Sequence, residues 1–518
     1  MILEENWASF ISGSDIRGVG VRSGQDSPLY LSDEIVERIA LGFAEWLRQN
    51  RTEDAEITVA VGRDTRISSL RIKDRVISAL VKMGVNVYDC DYSSTPAMFM
   101  TTVNLGCTGA IEVTASHHPY DKNGLKFFTR LGGLDSKDIN EILLFAQENQ
   151  FIYAEKFGRV IENDHMKLYA ENLRKMICDG INATDYSRPL RGFKIVVDAG
   201  NGIGGFYATK VLAPLGADIR GSRYLDYNGM FPNHVPNPED AKAMQSICEA
   251  VVQNDAHLGV IFDTDVDRAA VVDKGGVEIN GNRLVALAAA IASENNDGCT
   301  IVTDSVTSDG LTDFIEKRLG AKHLSFKRGY RNVIDKQIEL NHSAVNCPLA
   351  IETSGHAAFR ENYYLDDGAY LVTKIIIKMV LLAKEGKKIS DLLSGLKEAR
   401  EKLSLRFNIE RSDFKMYGEE LIASLNGFAP SCEGWTVKPD TYEGIRVSVD
   451  ERGGNGWFLL RLSVHDPVMP LNIESNETGG TLKICEKLYS FMKEQSGIDS
   501  SPLKKAIEIC KNNVKTDV

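Results

Sequence analysis

Three sets of strand-length apolar runs recur in the same order along the chain, and each set ends in a short polar loop. The first set occupies residues 57–64, 86–89 and 110–113 and ends in Thr114-Ala115-Ser116-His117-His118-Pro119. The second, 194–198, 217–220 and 258–262, ends in Asp263-Thr264-Asp265-Val266-Asp267-Arg268. The third, 300–304, 321–324 and 348–351, ends in Glu352-Thr353-Ser354-Gly355-His356. Runs of this kind alternating with helical stretches mark an α/β chain. Divergent self-similarity in a fixed order predicts three copies of one α/β unit, although three unrelated α/β domains would show the same alternation. Ligands of open α/β sheets gather at the carboxyl ends of strands, so the three loops are expected to share one cleft. After about residue 405 the pattern changes. There two apolar runs, 444–449 and 457–463, flank a glycine-rich hairpin turn and precede a helical tail. The expected fold is α/β: three related α/β domains plus a smaller C-terminal α+β domain around a central cleft. The boundaries fall at 1–160, 161–292, 293–404 and 405–518.

A length of 518 residues is too great for a single core. The net charge of −12 excludes non-specific nucleic-acid binding through a basic face but says nothing about a local anion site. Nine scattered cysteines without a C-x-x-C pair fit neither a disulfide framework nor a zinc site, and point to a reducing compartment. The first residues lack the basic and apolar regions of a signal peptide, and apolar runs such as 284–292 are too short to span a bilayer. A cytoplasmic protein is expected; a plastid stroma protein after transit-peptide removal would read the same way.

Three carboxylates at alternate positions, Asp263, Asp265 and Asp267, follow a buried-looking strand and can wrap one hard cation. An EF-hand would need Gly and Glu where Arg268 and Lys274 stand. Mg²⁺ suits this donor set, and its preference for few carboxylates plus a phosphate oxygen points to phosphoryl chemistry. Gly200-Asn201-Gly202-Ile203-Gly204-Gly205 satisfies G-x-G-x-x-G, but the equivalent turns of the other two sets do not. A turn that lets strand and helix pack closely is the better reading than a dinucleotide site. Ser116 has no G-x-S-x-G elbow around it, which disfavours acyl transfer. A hydroxyl beside His117, near a metal loop and several basic residues, suits a phosphoserine intermediate; a plain cap or turn serine is the bland alternative.

These residues resemble the α-D-phosphohexomutase family of phosphoglucomutases, phosphomannomutases and phosphoglucosamine mutases. The likeness runs in family order through Ser14-Asp15-Ile16-Arg17-Gly18, Val61-Gly62-Arg63-Asp64-Thr65-Arg66, the Ser116 loop, Phe231-Pro232-Asn233-His234-Val235-Pro236-Asn237-Pro238, the aspartate loop and the Glu352 loop. The resemblance implies four domains around a central cleft and a reversible phosphate shift between the 1- and 6-positions of a hexose phosphate. It implies a phosphorylated Ser116, Mg²⁺ held by Ser116, Asp263, Asp265 and Asp267, and a hexose 1,6-bisphosphate intermediate. Arg17 and Arg268 would stabilise the transferring group, with His117, Lys126 and His356 as candidates for proton transfer. Glu352, Ser354, Lys327 and Arg331 would contact the sugar or its phosphate, and Arg461, Ser463 and His465 the other phosphate.

The chain departs from the family pattern at named places. His118 replaces Asn, and Thr264 replaces Gly, where an added Cβ would matter if the backbone is unusual. In the carboxy-terminal phosphate loop R-x-S-G-T-x-P-x-x-R, Val464, His465 and Pro470 stand for Gly, Thr and the final Arg. Losing that arginine removes a charge and a bidentate fork together. A working mutase is therefore the first expectation, with a sugar-phosphate phosphatase or a non-catalytic sugar-phosphate sensor as alternatives.

Overall fold

A computed structural model describes residues 2–22, 30–50, 56–183, 185–439, 441–463 and 466–516, with side chains to 511. The chain divides into two compact units, 1–292 with 349–393, and 293–348 with 394–518.

The first unit opens with an eight-stranded mixed sheet. Its strands are β1 (Ile11–Ser12), β2 (Asp15–Val19), β3 (Thr58–Arg63), β4 (Asn86–Tyr92), β5 (Gly109–Val113), β6 (Lys122–Thr129), β7 (Gly132–Gly133) and β8 (Val160–Glu162). Their spatial order is β1-β2-β6-β5-β3-β4-β8, with β7 on β6. The β3–β4, β3–β5 and β4–β8 pairs are parallel, whereas β5–β6 and β2–β6 are antiparallel. Helices cover the sheet because their apolar residues recur every three to four positions. In Asp33–Asn50 the stripe Val36, Ile39, Ala40, Phe43, Leu47 is buried, and it joins Ile139, Ile142 and Leu143 of Ser136–Glu148 in one core. Each of the larger side chains among these, Val, Ile, Leu or Phe, contributes about 1.5–3 kcal/mol on burial. Asp135 starts the second of these helices with a reciprocal capping box closed by Asp138.

A second sheet follows in the order β12-β11-β10-β9, built from β9 (Ile195–Asp198), β10 (Leu258–Phe262), β11 (Ala269–Asp273) and β12 (Val277–Ile279). Here β9 and β10 run parallel, and β11 returns antiparallel. Residues 217–220, expected as a strand, make one isolated bridge, Asp218 to Lys194, and a second bridge follows beyond them, Arg223 to Asp198. With two of their four residues charged and a glycine on either side, Gly216 and Gly221, they make a poor ladder. Leu349–Ile351, Ala357–Phe359 and Leu365–Asp366 form a short antiparallel meander, followed by the helix Gly368–Lys384 that Asp367 caps.

In the second unit Thr300–Asp304 pairs in parallel with Lys322–Phe326. A separate antiparallel sheet runs Glu401–Asn408, Val468–Ser475, Gly456–Leu460, Ile445–Val449, Trp435–Val437. The glycine-rich segment before Gly456 joins antiparallel partners, as a hairpin turn requires. Among the described residues no helix is long and apolar enough to cross a membrane.

Candidate functional site

Ser116 lies just past the end of β5, where the chain turns toward β6. Its φ is +49°, a left-handed conformation that a non-glycine residue adopts only when its surroundings impose it. Arg66 imposes it. This guanidinium, wholly buried, donates to the carbonyls of Ser116, His118 (2.7 Å), Pro119 (2.6 Å) and Lys122 (3.1 Å), and its Nε donates to Asp64 (3.0 Å). Asp64 in turn accepts from Thr114 Oγ1 at 2.9 Å and Ser69 Oγ at 2.6 Å, and Thr114 Oγ1 accepts the Ser116 N–H at 3.0 Å. With its carbonyls drawn onto one arginine, the turn leaves the Ser116 hydroxyl facing the other way. That hydroxyl donates to Asp263 Oδ2 at 3.0 Å, lies 3.3 Å from His117 Nδ1, and accepts from Arg268 at 3.5 Å.

The aspartate loop closes β10 onto β11. Asp263, Asp265 and Asp267 are fully buried, and one oxygen from each lies within 4.8 Å of the others. Burial raises the Asp263 carboxyl well above the ordinary range, reinforced by Asp267 and Asp265, and the same causes push Asp265 up to about 6. Asp267 moves the other way, because Lys126, His356 and Arg268 outweigh its burial. Asp265 Oδ1 accepts no hydrogen bond among the described residues. An all-oxygen set with a buried, uncommitted carboxylate oxygen fits a hard cation such as Mg²⁺.

The loop is held by close backbone packing. A Cβ on Gly202 would stand 2.7 Å from the Thr264 carbonyl oxygen, and Ile203 N–H donates to that oxygen at 2.9 Å. The G-x-G-x-x-G turn therefore serves as the seat of the aspartate loop. Thr95 donates through both its hydroxyl (2.6 Å) and its N–H (2.9 Å) to Asp265. The left-handed residue of the loop is Val266, φ +68°, and its carbonyl accepts from Gly368 at 3.0 Å. Thr264 is not left-handed, so its Cβ meets no conformational objection.

The other basic candidates gather on these carboxylates. Lys126 Nζ lies 3.2 Å from Asp267 and 3.4 Å from Asp15; Arg17 donates to Asp15 at 2.8 Å. Arg268 Nε is 3.3 Å from Asp263, while its Nη1 donates to Asn237 (3.1 Å) and Glu239 (3.4 Å). His356 Nε2 sits 3.7 Å from Asp267, and the backbones of Arg268 and His356 form an isolated bridge. Ser354 donates to Glu352 at 3.2 Å, and Glu352 N–H closes the loop on the His356 carbonyl at 2.9 Å. The three polar loops thus meet within the first unit. Burial, with Arg268 and His118 beside it, pushes His117 down to about 2, so its ring is neutral and available to the Ser116 hydroxyl. Sequence reasoning passed over Arg66, Asn237 and Glu239 as site residues. It also passed over Asp366, a buried carboxyl grouped with Asp267 and His356.

Four candidates belong to the second unit. Lys327 follows the strand Lys322–Phe326, and Arg331, in the first turn of Tyr330–His342, pairs with Asp335 at 2.8 Å. Arg461 follows Gly456–Leu460, and Ser463 Oγ accepts from the Asp466 N–H at 3.3 Å. His465 lies outside the described residues.

Three family models match the chain in succession: the phosphoglucomutase/phosphomannomutase alpha/beta/alpha domain I over residues 12–152, domain II over 167–276 and domain III over 280–399. A phosphoglucomutase/phosphomannomutase of Thermococcus kodakarensis is 31% identical over 450 residues, covering 86% of this chain and 91% of that protein. The chain belongs to the phosphoglucomutase/phosphomannomutase family. A Neisseria meningitidis phosphoglucomutase is 28% identical over 491 residues, 94% of this chain and 96% of its own. The crystal structure of a phosphoglucomutase/phosphomannomutase family protein from Burkholderia thailandensis superposes with a TM-score of 0.77 at 26% identity, covering 96% of this chain and all of that one.

Proposed function

We propose that the protein is a phosphohexose mutase that moves phosphate between the 1- and 6-positions of a hexose phosphate through a phosphorylated Ser116. The observation that carries the reading is the Ser116 hydroxyl hydrogen-bonded at 3.0 Å to Asp263 of a buried three-aspartate loop, with Arg268 on the same oxygen. Family membership supports it, and the named relatives make glucose and mannose phosphates the first substrates to test. Asp263, Asp265 and Asp267 would hold Mg²⁺, which when bound offsets the charge of a phosphoryl group on Ser116.

In one half-reaction the bond from phosphorus to Ser116 Oγ breaks and a bond to a sugar hydroxyl oxygen forms. The sugar hydroxyl gives up its proton to a base and Ser116 Oγ regains one. The reverse transfer, from the other position of the resulting hexose 1,6-bisphosphate, restores the phosphoserine. Lys126 and His356, both beside Asp267, are the groups placed to carry these protons. Arg268 supplies positive charge at the transferring group. Glu352 and Ser354 offer hydrogen bonds to sugar hydroxyls.

Peptide mapping before and after incubation with glucose 1,6-bisphosphate and Mg²⁺ tests this. The expected result is a phosphate on Ser116 that leaves when glucose 1-phosphate is added, and a Ser116→Ala protein without mutase turnover. A Ser116 unmodified throughout, or phosphate released to water in place of isomerised sugar phosphate, overturns the reading.

A further inference from the structure

Residues 228–240 cross the first unit as irregular backbone, between the helical segments Tyr207–Leu212 and Ala241–Gln253. Three prolines, Pro232, Pro236 and Pro238, bring no N–H to any ladder. A segment of that kind keeps one shape only if other groups tie it down. Its ties run to the glycine turn. Asn228 N–H donates to the Asn201 carbonyl at 3.1 Å, and Asn233 Nδ2 to Asn201 Oδ1 at 2.7 Å. Gly200, φ +52°, lets the loop come close, since a Cβ there would stand 2.8 Å from Pro236 Cβ.

The buried tie is His234. Its Nε2 lies 3.0 Å from Asp198 Oδ1, at the end of β9, and its Nδ1 lies 2.9 Å from the Val235 carbonyl. A carboxylate and a carbonyl both accept, so the two bonds form together only when each ring nitrogen carries a proton. Asp198, wholly buried, is fixed in turn by Ser246 Oγ at 2.6 Å and by Gly200 N–H at 3.0 Å. Burial works against a charged ring, but the bond and charge of Asp198 outweigh it, helped by the Val235 carbonyl and Asp240, and His234 holds its proton above the ordinary histidine range. The Tyr224 ring stands edge-on to it at 5.4 Å, and Lys242, on the following helix, is committed to the Asn233 carbonyl at 2.7 Å.

The ends of this loop reach both arginines that serve Ser116. At one end Gly229 bridges to Arg66, and the Phe231 ring lies 5.2 Å from the Arg66 guanidinium carbon. At the other, Asn237 and Glu239 accept from Arg268 at 3.1 and 3.4 Å, while the same guanidinium reaches the Ser116 hydroxyl at 3.5 Å. His234 sits between the two ends.

We propose that His234 is a positioning residue of the phosphoryl transfer: latched to Asp198, it docks the 228–240 loop on the glycine turn and so holds Arg268 at the Ser116 oxygen. The inference rests on the proposed function for the reaction it serves, and the reactivity of Arg268 tests it apart from turnover. Because the folded ring holds its proton more tightly, the latch is fully present below the ordinary histidine range and is lost as pH rises through the raised value.

Phenylglyoxal modification of Arg268, read by peptide mapping, is compared for the wild type, His234→Gln, Asp198→Asn and His165→Gln. Arg268 is 2% exposed, so its modification reports release from the loop. His165 is a buried histidine of the same unit outside the loop, and its replacement controls for a general loss of stability. Losing one charge-assisted hydrogen bond is expected to speed modification roughly tenfold to a hundredfold in His234→Gln and Asp198→Asn, with His165→Gln within about twofold of wild type. The gap between His234→Gln and wild type should shrink as pH rises through the ionisation of His234, followed by NMR of the imidazole. Where turnover is present, kcat of His234→Gln falls about tenfold with KM nearly unchanged, and that deficit shrinks over the same pH interval. Equal protection of Arg268 in wild type and His234→Gln overturns the latch, as does a gap that ignores the ionisation of His234. A wild type whose Arg268 is protected in the His234-dependent way but which fails to interconvert hexose phosphates supports the latch and refutes the mutase reading.

Discussion

The turn carrying Ser116 and the loop carrying the three aspartates do the same structural job by opposite means. Each follows the carboxyl end of a buried strand, and each contains a strained left-handed residue, Ser116 in one and Val266 in the other. The serine turn is tied from below by one side chain: Arg66 gathers four carbonyls. The aspartate loop is seated on backbone, with the Gly202 turn against Thr264 and Gly368 against Val266. A side-chain tie draws four backbone oxygens onto Arg66, which suits a residue that must present a hydroxyl. Backbone contact fixes position with little use of side chains, Thr95 on one oxygen of Asp265 being the exception, which suits a loop whose carboxylates must remain available.

The largest effect is expected from cutting the side-chain tie. Arg66→Met leaves Asp64 as a buried, unpaired charge and four carbonyls without their donor. Losing one partner of a buried pair costs about 3–5 kcal/mol. Urea unfolding should show a loss of that order. Arg66→Lys keeps the charge but cannot span the carbonyls, so it should recover stability more than turnover. Equal recovery of both would mean that the tie has no role in aiming Ser116.

Gly202→Ala comes next. The added Cβ would lie 2.7–2.8 Å from Thr264 backbone atoms, and overpacking of this kind costs about 1–3 kcal/mol. Unlike the Arg66 variants, it should also weaken Mg²⁺ binding, because what must shift is the loop between two carboxylates. An alanine variant with unaltered Mg²⁺ affinity would show that the loop does not depend on its seat.

The carboxylates themselves give a pH dependence. Asp263 and Asp265 hold their protons more tightly in the folded, metal-free protein than in the unfolded chain. Their contribution to stability is therefore full below the ordinary aspartate range and is lost as pH rises, through about 6 for Asp265, with Asp263 acting in the same sense. Asp267, shifted downward, contributes in the opposite sense, and loses its contribution only in stronger acid. Mg²⁺ binds the deprotonated forms. The rise in Tm on adding Mg²⁺ should accordingly grow between pH 5 and pH 7.5, and a flat difference across that window would break the link.

The residues legible in the sequence are those whose chemistry is concentrated in short windows at strand ends: Ser116 with His117, the alternating aspartates, and Glu352 with His356. Strand and helix periodicity placed these windows, because burial repeats every two residues in one and every three to four in the other. Arg66 stands inside a motif, yet nothing local in the sequence reveals its role, since its four carbonyls lie 50 to 56 positions away. Asn237 and Glu239 hold Arg268 across about 30 residues. Contacts at such separations leave no local periodicity to detect. The expected strand at 217–220 failed for a local reason, its charged residues and the flanking glycines limiting it to one isolated bridge.

The smallest effect is expected at Thr264, the residue whose replacement of glycine looked most disruptive in the sequence. Its backbone is not left-handed, so a side chain is sterically acceptable there, and it is wholly buried. Its hydroxyl has no hydrogen-bond partner among the described residues. Thr264→Ala removes a methyl group worth about 0.8 kcal/mol of burial. It also removes a buried, unsatisfied hydroxyl that costs about 1–3 kcal/mol to keep. The two terms oppose, so unfolding free energy should shift by only about 0.2–2 kcal/mol, toward greater stability. If the alanine variant is instead less stable only when Mg²⁺ is present, the hydroxyl turns toward the ion, and the aspartate loop would then rely on a side chain as the serine turn does.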